Sequence, residues 1–355
     1  MPKLKDVLTI STSTKSLQSE HYWLLNLDMV EQQTGNILGY NYVDKSQLKG
    51  SIIQFDTNTV LYSKLRPNLN KVVLPLYDGF ATSEMLPLKP DSTKLIKEYL
   101  AVLLRSDNFV IWATSKTAGA KMPRLGTSEL LNKDIPLPSL DEQRYISNLF
   151  DNINRLIILR KQQLFKLDEL VKSRFIEMFD GKYTVRTLES VCEELFAGGD
   201  VKKDISSDIQ SEEYPYPIYT NGEKNNGLYG YTSRARVTKE AVTISGRGTI
   251  GFTCLRKEPF YPAVRLIVAV PNQALVSGCY LQHFIRSKNY GGQGASIPQL
   301  TVPMIKDELI PVPPMELQEQ FVAFVEQTDK SKLEIQKSLE KLETLKKAVM
   351  QKYFG

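Results

Sequence analysis

The sequence predicts a mixed α/β protein in which two α/β domains are separated by an antiparallel coiled coil of two long helices, with a pseudo-two-fold relation between the halves. Two observations support this fold class. The chain of 355 residues is an imperfect tandem repeat, and each half is a strand-rich body followed by a tail with helical periodicity. We expect a first domain at 1–138, a central spacer helix at 139–180, a second domain at 181–313 and a C-terminal spacer helix at 314–355.

The repeat is clearest between residues 122–180 and 297–355, where a constant offset of 175 aligns identical residues without a gap. Examples are Pro123 with Pro298, Ile135 with Ile310, Gln143 with Gln318, Leu164 with Leu339, and Phe179 with Phe354. Upstream the offset becomes 181, as in Tyr99 with Tyr280, and the similarity then thins. Similar tails and divergent bodies indicate one shared task for the tails and two related but different tasks for the bodies.

The tails predict two long helices. Ser139 and Glu142 have the spacing of a capping box just ahead of the first apolar run. Apolar residues then recur at alternating steps of four and three, which is the heptad stripe of a coiled coil. The predicted seam consists of Ile146, Phe150, Ile153, Ile157, Leu164, Leu167 and Val171 in the first tail and of Phe321, Val325, Ile335, Leu339, Leu342 and Val349 in the second.

Both stripes have the same phase, because the offset of 175 residues is a multiple of seven. A lone helix with such a stripe needs a partner, and each tail can serve the other. Antiparallel pairing would place one body at each end of a rod about 60 Å long, at 1.5 Å per residue. A pair of dimerisation helices in an unrelated protein is the alternative explanation of the periodicity.

The bodies are predicted to be mixed α/β domains with much irregular loop. Strand-like runs occur at 72–76, 241–244 and 266–270, and short helices are expected at 92–106 and 274–287.

A literal GxGxxG pattern at 246–251 has two possible meanings. A dinucleotide-binding loop requires a strand before it and a helix after it, but here a second strand-like run follows. The pattern therefore predicts a tight hairpin that presents Arg247 between two glycines. Arg66, close to Lys64, is its counterpart in the first half. Such arginines suit a phosphate or a guanine edge, although a solvated turn arginine explains them equally well.

Three further segments are candidates for contact with DNA. They are the loop before each tail, at 114–124 and 290–299, and the aromatic turn at 214–222. Glycine allows a close backbone approach, and the polar side chains can reach phosphates and base edges. The candidate side chains are those of Lys116, Lys121, Arg124, Tyr219, Asn221, Gln293 and Ser296. For each of them, a place in a well-packed surface loop is the alternative.

Composition and motifs argue against most other classes of protein. The net charge of +5 permits nucleic acid as a partner without selecting it. No apolar run approaches the roughly 20 residues of a membrane helix, so we expect a cytoplasmic protein. Cys192, Cys254 and Cys279 are widely spaced, and with two histidines they predict neither a zinc site nor a disulfide framework.

Catalytic motifs are missing from the sequence as well. It contains no phosphate-binding Gly-x-x-x-x-Gly-Lys-Ser/Thr loop, and no Asn/Asp-Pro-Pro-Tyr/Phe motif of an amino-methyltransferase. We therefore expect a non-catalytic chain. A metal-dependent nuclease needs only scattered carboxylates and is the enzyme alternative that stays open.

The arrangement of body, Ile-Pro-x-Pro and long helix, present twice, resembles the specificity subunit of type I restriction–modification enzymes. The matching strings begin at Ile135 and Ile310 and continue through Gln143 and Gln318. The resemblance covers essentially the whole chain, and its strength lies in the arrangement, since each motif is weak alone. The second copy departs at Leu317, where the first has Glu142.

The resemblance implies two target-recognition domains, each of which reads one half of an asymmetric, bipartite site in double-stranded DNA. The paired helices would set the gap between the half-sites and dock two methyltransferase subunits, and two ATP-driven restriction and translocase subunits would complete the enzyme. It implies no cofactor in this chain, with S-adenosylmethionine, ATP and Mg²⁺ expected in the partners. A two-domain DNA-binding regulator or adaptor with a coiled-coil stalk is the alternative function.

Overall fold

The chain folds into two compact units. The computed structural model describes residues 1–13, 21–48, 51–119, 121–201, 206–288, 290 and 299–355. The first unit consists of Met1–Lys161 and Lys337–Gly355, and the second of Gln162–Gln336. Each unit combines one body with the adjoining parts of both tails. The predicted fold class, two α/β domains with two long helices, is confirmed, whereas the four domain boundaries stay predictions.

The described part of the first body has ten strands and three short helices. They are β1 (Leu8–Ile10), β2 (His21–Leu25), β3 (Tyr42–Asp44), β4 (Ile52–Phe55), β5 (Val60–Ser63), β6 (Val72–Val73), β7 (Gly79–Thr82), β8 (Met85–Pro90), α1 (Lys97–Leu104), α2 (Asp107–Ser115), β9 (Thr117–Ala118), β10 (Arg124–Leu125) and α3 (Thr127–Leu131). Two four-stranded sheets have the orders β1-β8-β5-β6 and β3-β2-β7-β4, and β9 pairs with β10. Buried side chains such as Leu88, Tyr99 and Phe109 form the core between the first sheet and the helices.

The tail of the first body is α4 (Leu140–Phe179), and the second body follows it. The elements of the second body are β11 (Thr184–Thr187), β12 (Cys192–Ala197), β13 (Ser206–Ser207), β14 (Tyr216–Tyr219), β15 (Leu228–Thr232), β16 (Ala241–Ile244), β17 (Thr253–Arg256), β18 (Tyr261–Pro262), β19 (Ile267–Pro271), α5 (Gly278–Ser287), α6 (Val302–Ile305) and β20 (Leu309–Val312), and its tail is α7 (Met315–Phe354). The sheets are β12-β19-β16-β17, β13-β15-β14-β18 and the pair β11-β20. Within the described ranges each body has one parallel pair, β2 with β7 and β14 with β18, so the second sheets of the two bodies correspond.

The strand predictions are mostly confirmed. The runs at 241–244 and 266–270 match β16 and β19. The run at 72–76 forms a strand only as far as Val73. It ends there because Pro75 has no amide hydrogen to donate to a neighbouring strand.

Two other local predictions are also confirmed. The GxGxxG segment joins β16 to β17, which are antiparallel neighbours with Ile244 opposite Thr253, so it is a hairpin. The short helices expected at 92–106 and 274–287 contain α1 and α5. Both begin later than predicted, at Lys97 and Gly278.

The two tails are helices of 40 residues each. In the first unit the Phe150 ring lies 6.2 Å from the Phe354 ring, and Lys161 Nζ lies 3.8 Å from Glu343 Oε1. Residue numbers rise along α4 while those of its partners fall along α7, so the helices are antiparallel. None of the helices in the described ranges has both the length and the apolar character needed to cross a bilayer.

The second unit shows the same helix pairing independently. Asp168 Oδ1 lies 2.7 Å from Lys332 Nζ, and the rings of Phe175 and Phe321 are 5.4 Å apart. All thirteen predicted seam residues are buried or half-buried. The fully buried members are Ile146, Phe150, Ile153, Ile157, Val171, Phe321 and Leu339, and the half-buried ones are Leu164, Leu167, Val325, Ile335, Leu342 and Val349.

Candidate nucleic-acid interface

Three loops meet at one place in the first body. The turn after β5, residues 64–70, contacts the β9–β10 hairpin, because Arg66 N donates to Pro123 O at 2.8 Å. The same turn contacts the loop 26–41 between β2 and β3, where Gln33 N donates to Leu69 O at 3.0 Å. We call residues 64–70 the first arginine turn, and the three segments together the first three-loop surface.

The second body assembles the corresponding three loops. The second arginine turn, residues 246–251, follows β16, and its Gly246 O accepts from Leu300 N at 2.8 Å. Gly246 N donates to Asn221 Oδ1 at 2.7 Å, which joins this turn to the loop 220–227 between β14 and β15. A Cβ atom on Gly246 would lie 2.7 Å from Leu300 O. The close approach of these two backbone segments therefore requires glycine at position 246. These segments form the second three-loop surface.

Most of the first-body candidates are exposed at or near this surface. Arg66, Lys116 and Lys121 are exposed, and Lys64 is half-buried. Lys116 follows the last residue of α2 and immediately precedes the β9–β10 hairpin. Their contact with DNA stays a prediction.

Arg124 is already engaged within the protein. Its Nη2 donates to Glu84 Oε1 at 2.9 Å, and its Nε donates to both carboxylate oxygens at 3.1 Å. These hydrogen bonds hold the pKa of the Glu84 carboxyl below its usual value. The charge of Arg124 is therefore partly compensated, which makes it a weaker candidate than Arg66.

Two second-body candidates support the loops from within. Asn221 uses both ends of its amide, since Nδ2 donates to Val264 O at 2.8 Å and Oδ1 accepts from Gly246. Tyr219 is 9% exposed, and its hydroxyl donates to Glu258 Oε1 at 2.7 Å. Burial and that hydrogen bond raise the pKa of Tyr219 to about 12. These placements correspond to the packed-loop alternative for both residues.

Arg247 is the exposed member of the second arginine turn. Its Nη2 donates to Gln299 Oε1 at 3.1 Å. Gln299 aligns with Arg124 of the first copy. Each arginine turn therefore contacts the segment that precedes a short helix, which is α3 in the first body and α6 in the second. Gln293 and Ser296 lie outside the described residues.

The sequence analysis missed Arg256, which is 6% exposed behind the second three-loop surface. Its Nη2 donates to Asn226 O, and its Nε donates to Thr243 Oγ1 at 3.2 Å. Its guanidinium carbon lies 3.5 Å from the centre of the Tyr219 ring. No local sequence signal separates this buried arginine from a solvated one.

Each body is attached to its helix by a buried glutamine. Gln143 is 0% exposed, and its Oε1 accepts from Ile96 N at 2.9 Å. Its Nε2 donates to Lys94 O at 2.8 Å and to Pro138 O at 2.9 Å. The side chain of Tyr99 adds a hydrogen bond to Pro136 O at 3.0 Å. These bonds, which we call the first junction, fix the place where α4 leaves the body.

The second junction repeats these hydrogen bonds. Gln318 is 0% exposed and accepts from Ser277 N at 2.8 Å. It donates to Leu275 O at 3.0 Å and to Pro313 O at 2.9 Å. Tyr280 donates to Pro311 O at 2.8 Å. The sequence repeat matches the two glutamines at an offset of 175 and the two tyrosines at an offset of 181. Their roles are visible only in the structure, because each junction brings together one segment from each of these two parts of the repeat.

The described residues offer no clear metal site or reactive thiol. Among them, no group of three or more His, Cys, Asp or Glu side chains is placed to hold a metal ion. Cys192, Cys254 and Cys279 are free cysteines. Burial raises the pKa of Cys192 and of Cys279 to about 12, so neither is a thiolate at neutral pH.

Fold and surfaces together define a class of protein: two unlike α/β binding domains joined by a pair of long helices. The profile of the family described as type I restriction modification DNA specificity domain matches residues 1–169 and again 181–347. This chain belongs to that family. A Mycoplasma pneumoniae protein named as a type I specificity subunit is 26% identical over 209 residues, which are 57% of this chain and 56% of that protein. The chain thus spans about half the length of this curated relative.

Solved structures share the fold. One chain comes from a structure of type I R–M complex assembly and conformational transition, with a TM-score of 0.64, 17% identity, and coverage of 99% of this chain and 96% of that chain. Another is the S subunit of a type I restriction–modification system from M. genitalium, with a TM-score of 0.61, 15% identity, and coverage of 100% of this chain and 95% of that chain. The similarity extends over both bodies and both helices.

Proposed function

We propose that this chain is the DNA sequence-specificity subunit of a type I restriction–modification system and reads a bipartite, asymmetric target in double-stranded DNA. The observation that carries the proposal is that each body presents an exposed arginine, Arg66 or Arg247, on a surface where three loops meet. The guanidinium group of arginine suits phosphates and guanine edges. Membership of the specificity family supports DNA as the ligand of these surfaces.

The two half-sites should differ, because the two surfaces differ. The loop 26–41 in the first body corresponds to the shorter loop 220–227 in the second. Arg124 in the first copy is replaced by Gln299 in the second. Different side chains on similar supports would select different base pairs.

The helices would set the gap between the half-sites. Within each unit, α4 and α7 are antiparallel and their apolar seam is buried. A helix of 40 residues is about 60 Å long. A stiff connection of this kind selects half-sites at a set separation along the duplex.

We also propose that α4 carries the docking surface for the methyltransferase subunits. Seven large apolar side chains of α4 are exposed, namely Tyr145, Leu156, Ile158, Leu159, Phe165, Leu170 and Ile176, against two of α7, Leu333 and Leu345. Exposed apolar side chains in such number indicate a protein interface. Two methyltransferase and two restriction subunits would bind S-adenosylmethionine, ATP and Mg²⁺, and this chain would be a non-catalytic cytoplasmic component.

Co-expression with the methyltransferase subunit of a type I system tests the proposal. We expect a stable complex, and methylated adenines at a single bipartite motif with a fixed gap. The double variant Phe165→Glu/Ile176→Glu should lose the complex, whereas Leu333→Glu on α7 should keep it. Specific DNA binding without any such complex would favour the regulator with a coiled-coil stalk, and cleavage or methylation by the chain alone would favour an enzyme.

A further inference from the structure

Left-handed backbone is concentrated at the two three-loop surfaces. Among the described residues, those other than glycine with positive φ are Gln33, Arg66, Asn70, Asn225, Asn226 and Arg265. Three lie in the loops of the first surface, two lie in the loop 220–227 of the second, and Arg265 lies beside it. All except Asn70 are exposed. This conformation crowds the Cβ atom against the backbone and is disfavoured for residues other than glycine, least so for asparagine.

Arg66 is held in this conformation from both sides. It has φ 48° and ψ 66°. Its N–H donates to Pro123 O at 2.8 Å, and its carbonyl accepts from Leu69 N at 2.9 Å. The backbone of this exposed arginine is therefore fixed.

The turn at Asn225 and Asn226 is held by a buried cation. Both residues are left-handed, with φ of 50° and 53°. Arg256 donates from beneath to Asn226 O, and a Cβ atom on Gly227 would lie 2.5 Å from Thr220 O, so the turn is tightly closed. A buried guanidinium thus holds the backbone of the turn that carries two exposed carboxamides.

Arg265 belongs to the same surface as Arg247. Its N–H donates to Gly198 O at 3.0 Å, and its φ is 63°. Its carbonyl oxygen lies 2.9 Å from the position that a Cβ on Gly246 would occupy. The preceding residue, Val264, accepts the hydrogen bond from Asn221.

Glycine would satisfy each of these backbone conformations without crowding. Asparagine is common in such turns, so Asn225 and Asn226 suit theirs by residue type, whereas the long side chains of Arg66 and Arg265 need another explanation. Strained residues cluster at functional sites, where the surrounding structure holds them. Carboxamides pair with the adenine edge in the major groove, and guanidinium groups pair with the guanine edge. The strained exposed residues have the two chemistries that read bases.

We propose that Asn225, Asn226 and Arg265 read bases for the second body and that Gln33 and Arg66 do so for the first. The Gln33 amide donates to the exposed Asn68 O at 3.0 Å and would exchange that hydrogen bond for one to the base. The inference rests on the proposed function and assigns base specificity to residues that the sequence did not single out, apart from Arg66. The carboxamides select adenine, and the arginines select guanine. Arg247, joined to Gln299, has the lesser part in selection.

Glycine substitutions test this assignment, because they remove the side chain and relieve the backbone. The methyltransferase complex carrying Asn225→Gly/Asn226→Gly, Arg265→Gly, Gln33→Gly or Arg66→Gly is presented with a randomised bipartite DNA library, and bound sequences are counted. Each variant should lose preference at least tenfold at one or two base pairs of one half-site. The other half-site should be unchanged, and the melting temperature unchanged or raised. Arg186→Ala and Gln273→Ala, at exposed positions outside these loops, should select as the wild type does.

Two results would overturn the assignment. One is an equal loss of affinity for all sequences, which indicates phosphate contact, and the other is an unchanged preference in all four variants. Failure of the proposed function is distinguishable, because the wild-type complex would then select no bipartite sequence at all.

Discussion

The junctions of the two halves are nearly identical, whereas the three-loop surfaces differ in length and side chains. Gln143 and Gln318 make the same three hydrogen bonds at 0% exposure. The arginine turns differ even in backbone, since Arg66 itself is left-handed while Gly248 takes that conformation beside Arg247. The molecule thus repeats the part that attaches a body to its helix and varies the part that faces outward.

The free-energy cost of a substitution explains why the junctions are alike and the surfaces differ. A buried amide that loses a partner leaves other buried polar groups without hydrogen bonds, at about 1–3 kcal/mol each. An exposed loop residue can change with an effect usually within about 0.5 kcal/mol. Junction residues are therefore constrained by folding, and surface residues are free to be selected by the ligand.

The largest expected effect comes from shortening one helix. Deletion of residues 154–160 removes one heptad of α4 and about 10 Å of rise, or about three base pairs of DNA. If the helices set the gap, the preferred gap should change or binding should be abolished, while both half-sites stay the same. Selection from a library with variable gaps measures this.

Deletion of 154–160 together with 344–350 is the matched control. These segments face each other, as the pairs Phe150–Phe354 and Lys161–Glu343 indicate. The double deletion keeps the helices equal in length, and binding should return with a shorter gap. An unchanged gap in either variant contradicts the proposed role of the helices.

A smaller effect is expected at the junctions. Gln143→Leu should lower the free energy of unfolding of the first unit by about 3–5 kcal/mol, because three part-buried backbone groups lose their partner. Urea titration followed by tryptophan fluorescence reports on this unit, since the chain's two tryptophans, Trp23 and Trp112, both lie in it. Tyr99→Phe, which removes one hydrogen bond, should cost about 1 kcal/mol.

Gln318→Leu sharpens the comparison. It should leave the tryptophan-reported transition in place while accelerating hydrogen exchange in α5. Equal loss of the first-unit transition in both glutamine variants would contradict the assignment of one junction to each body.

The smallest expected effect concerns the pH dependence of stability, which should differ between the two units. His283 packs against Phe175 and Phe321, at ring distances of 5.9 Å and 5.1 Å. Burial, and then the charges of Arg286 and Lys332, lower its pKa to about 4. The fold favours neutral histidine, so this contribution is complete above the unfolded pKa of about 6.5 and declines as pH falls toward 4, by at most about 3 kcal/mol.

The first body has Val102 at the position equivalent to His283. His283→Val should therefore reduce the loss of second-unit stability between pH 7 and 4.5, as measured by hydrogen exchange of α5 amides. The same variant should not change the pH dependence of the tryptophan signal. If the second unit loses as much stability in the variant as in the wild type, the assignment of this pH dependence to His283 is wrong.

Much of the architecture was predictable because the repeat and the heptads are local patterns. The steps of four and three from Ile146 to Val171 correspond to buried or half-buried positions along α4. The GxGxxG hairpin was predictable from the strand that follows it. The strand at 72–76 was overestimated, since its apolar character outweighed the effect of Pro75.

The candidate site was less predictable. Arg66 and Arg247 were found through their turns, but Tyr219 and Asn221 were chosen for residue type and prove to lie behind or within the loops. The left-handed conformation of Gln33 and Arg265 has no sequence signature comparable to glycine or asparagine. It arises from hydrogen bonds with segments that are distant in the chain.

The sequence by itself determined the two halves, the long helices with their shared phase, and the family to which the chain belongs. Periodicity and repetition record these features, because a helix seam must recur every three or four residues. Only the tertiary structure decided which loops meet, which glutamines close the junctions, and which arginine is buried. Those outcomes depend on contacts between residues far apart in the chain, and the residue types alone allow several arrangements.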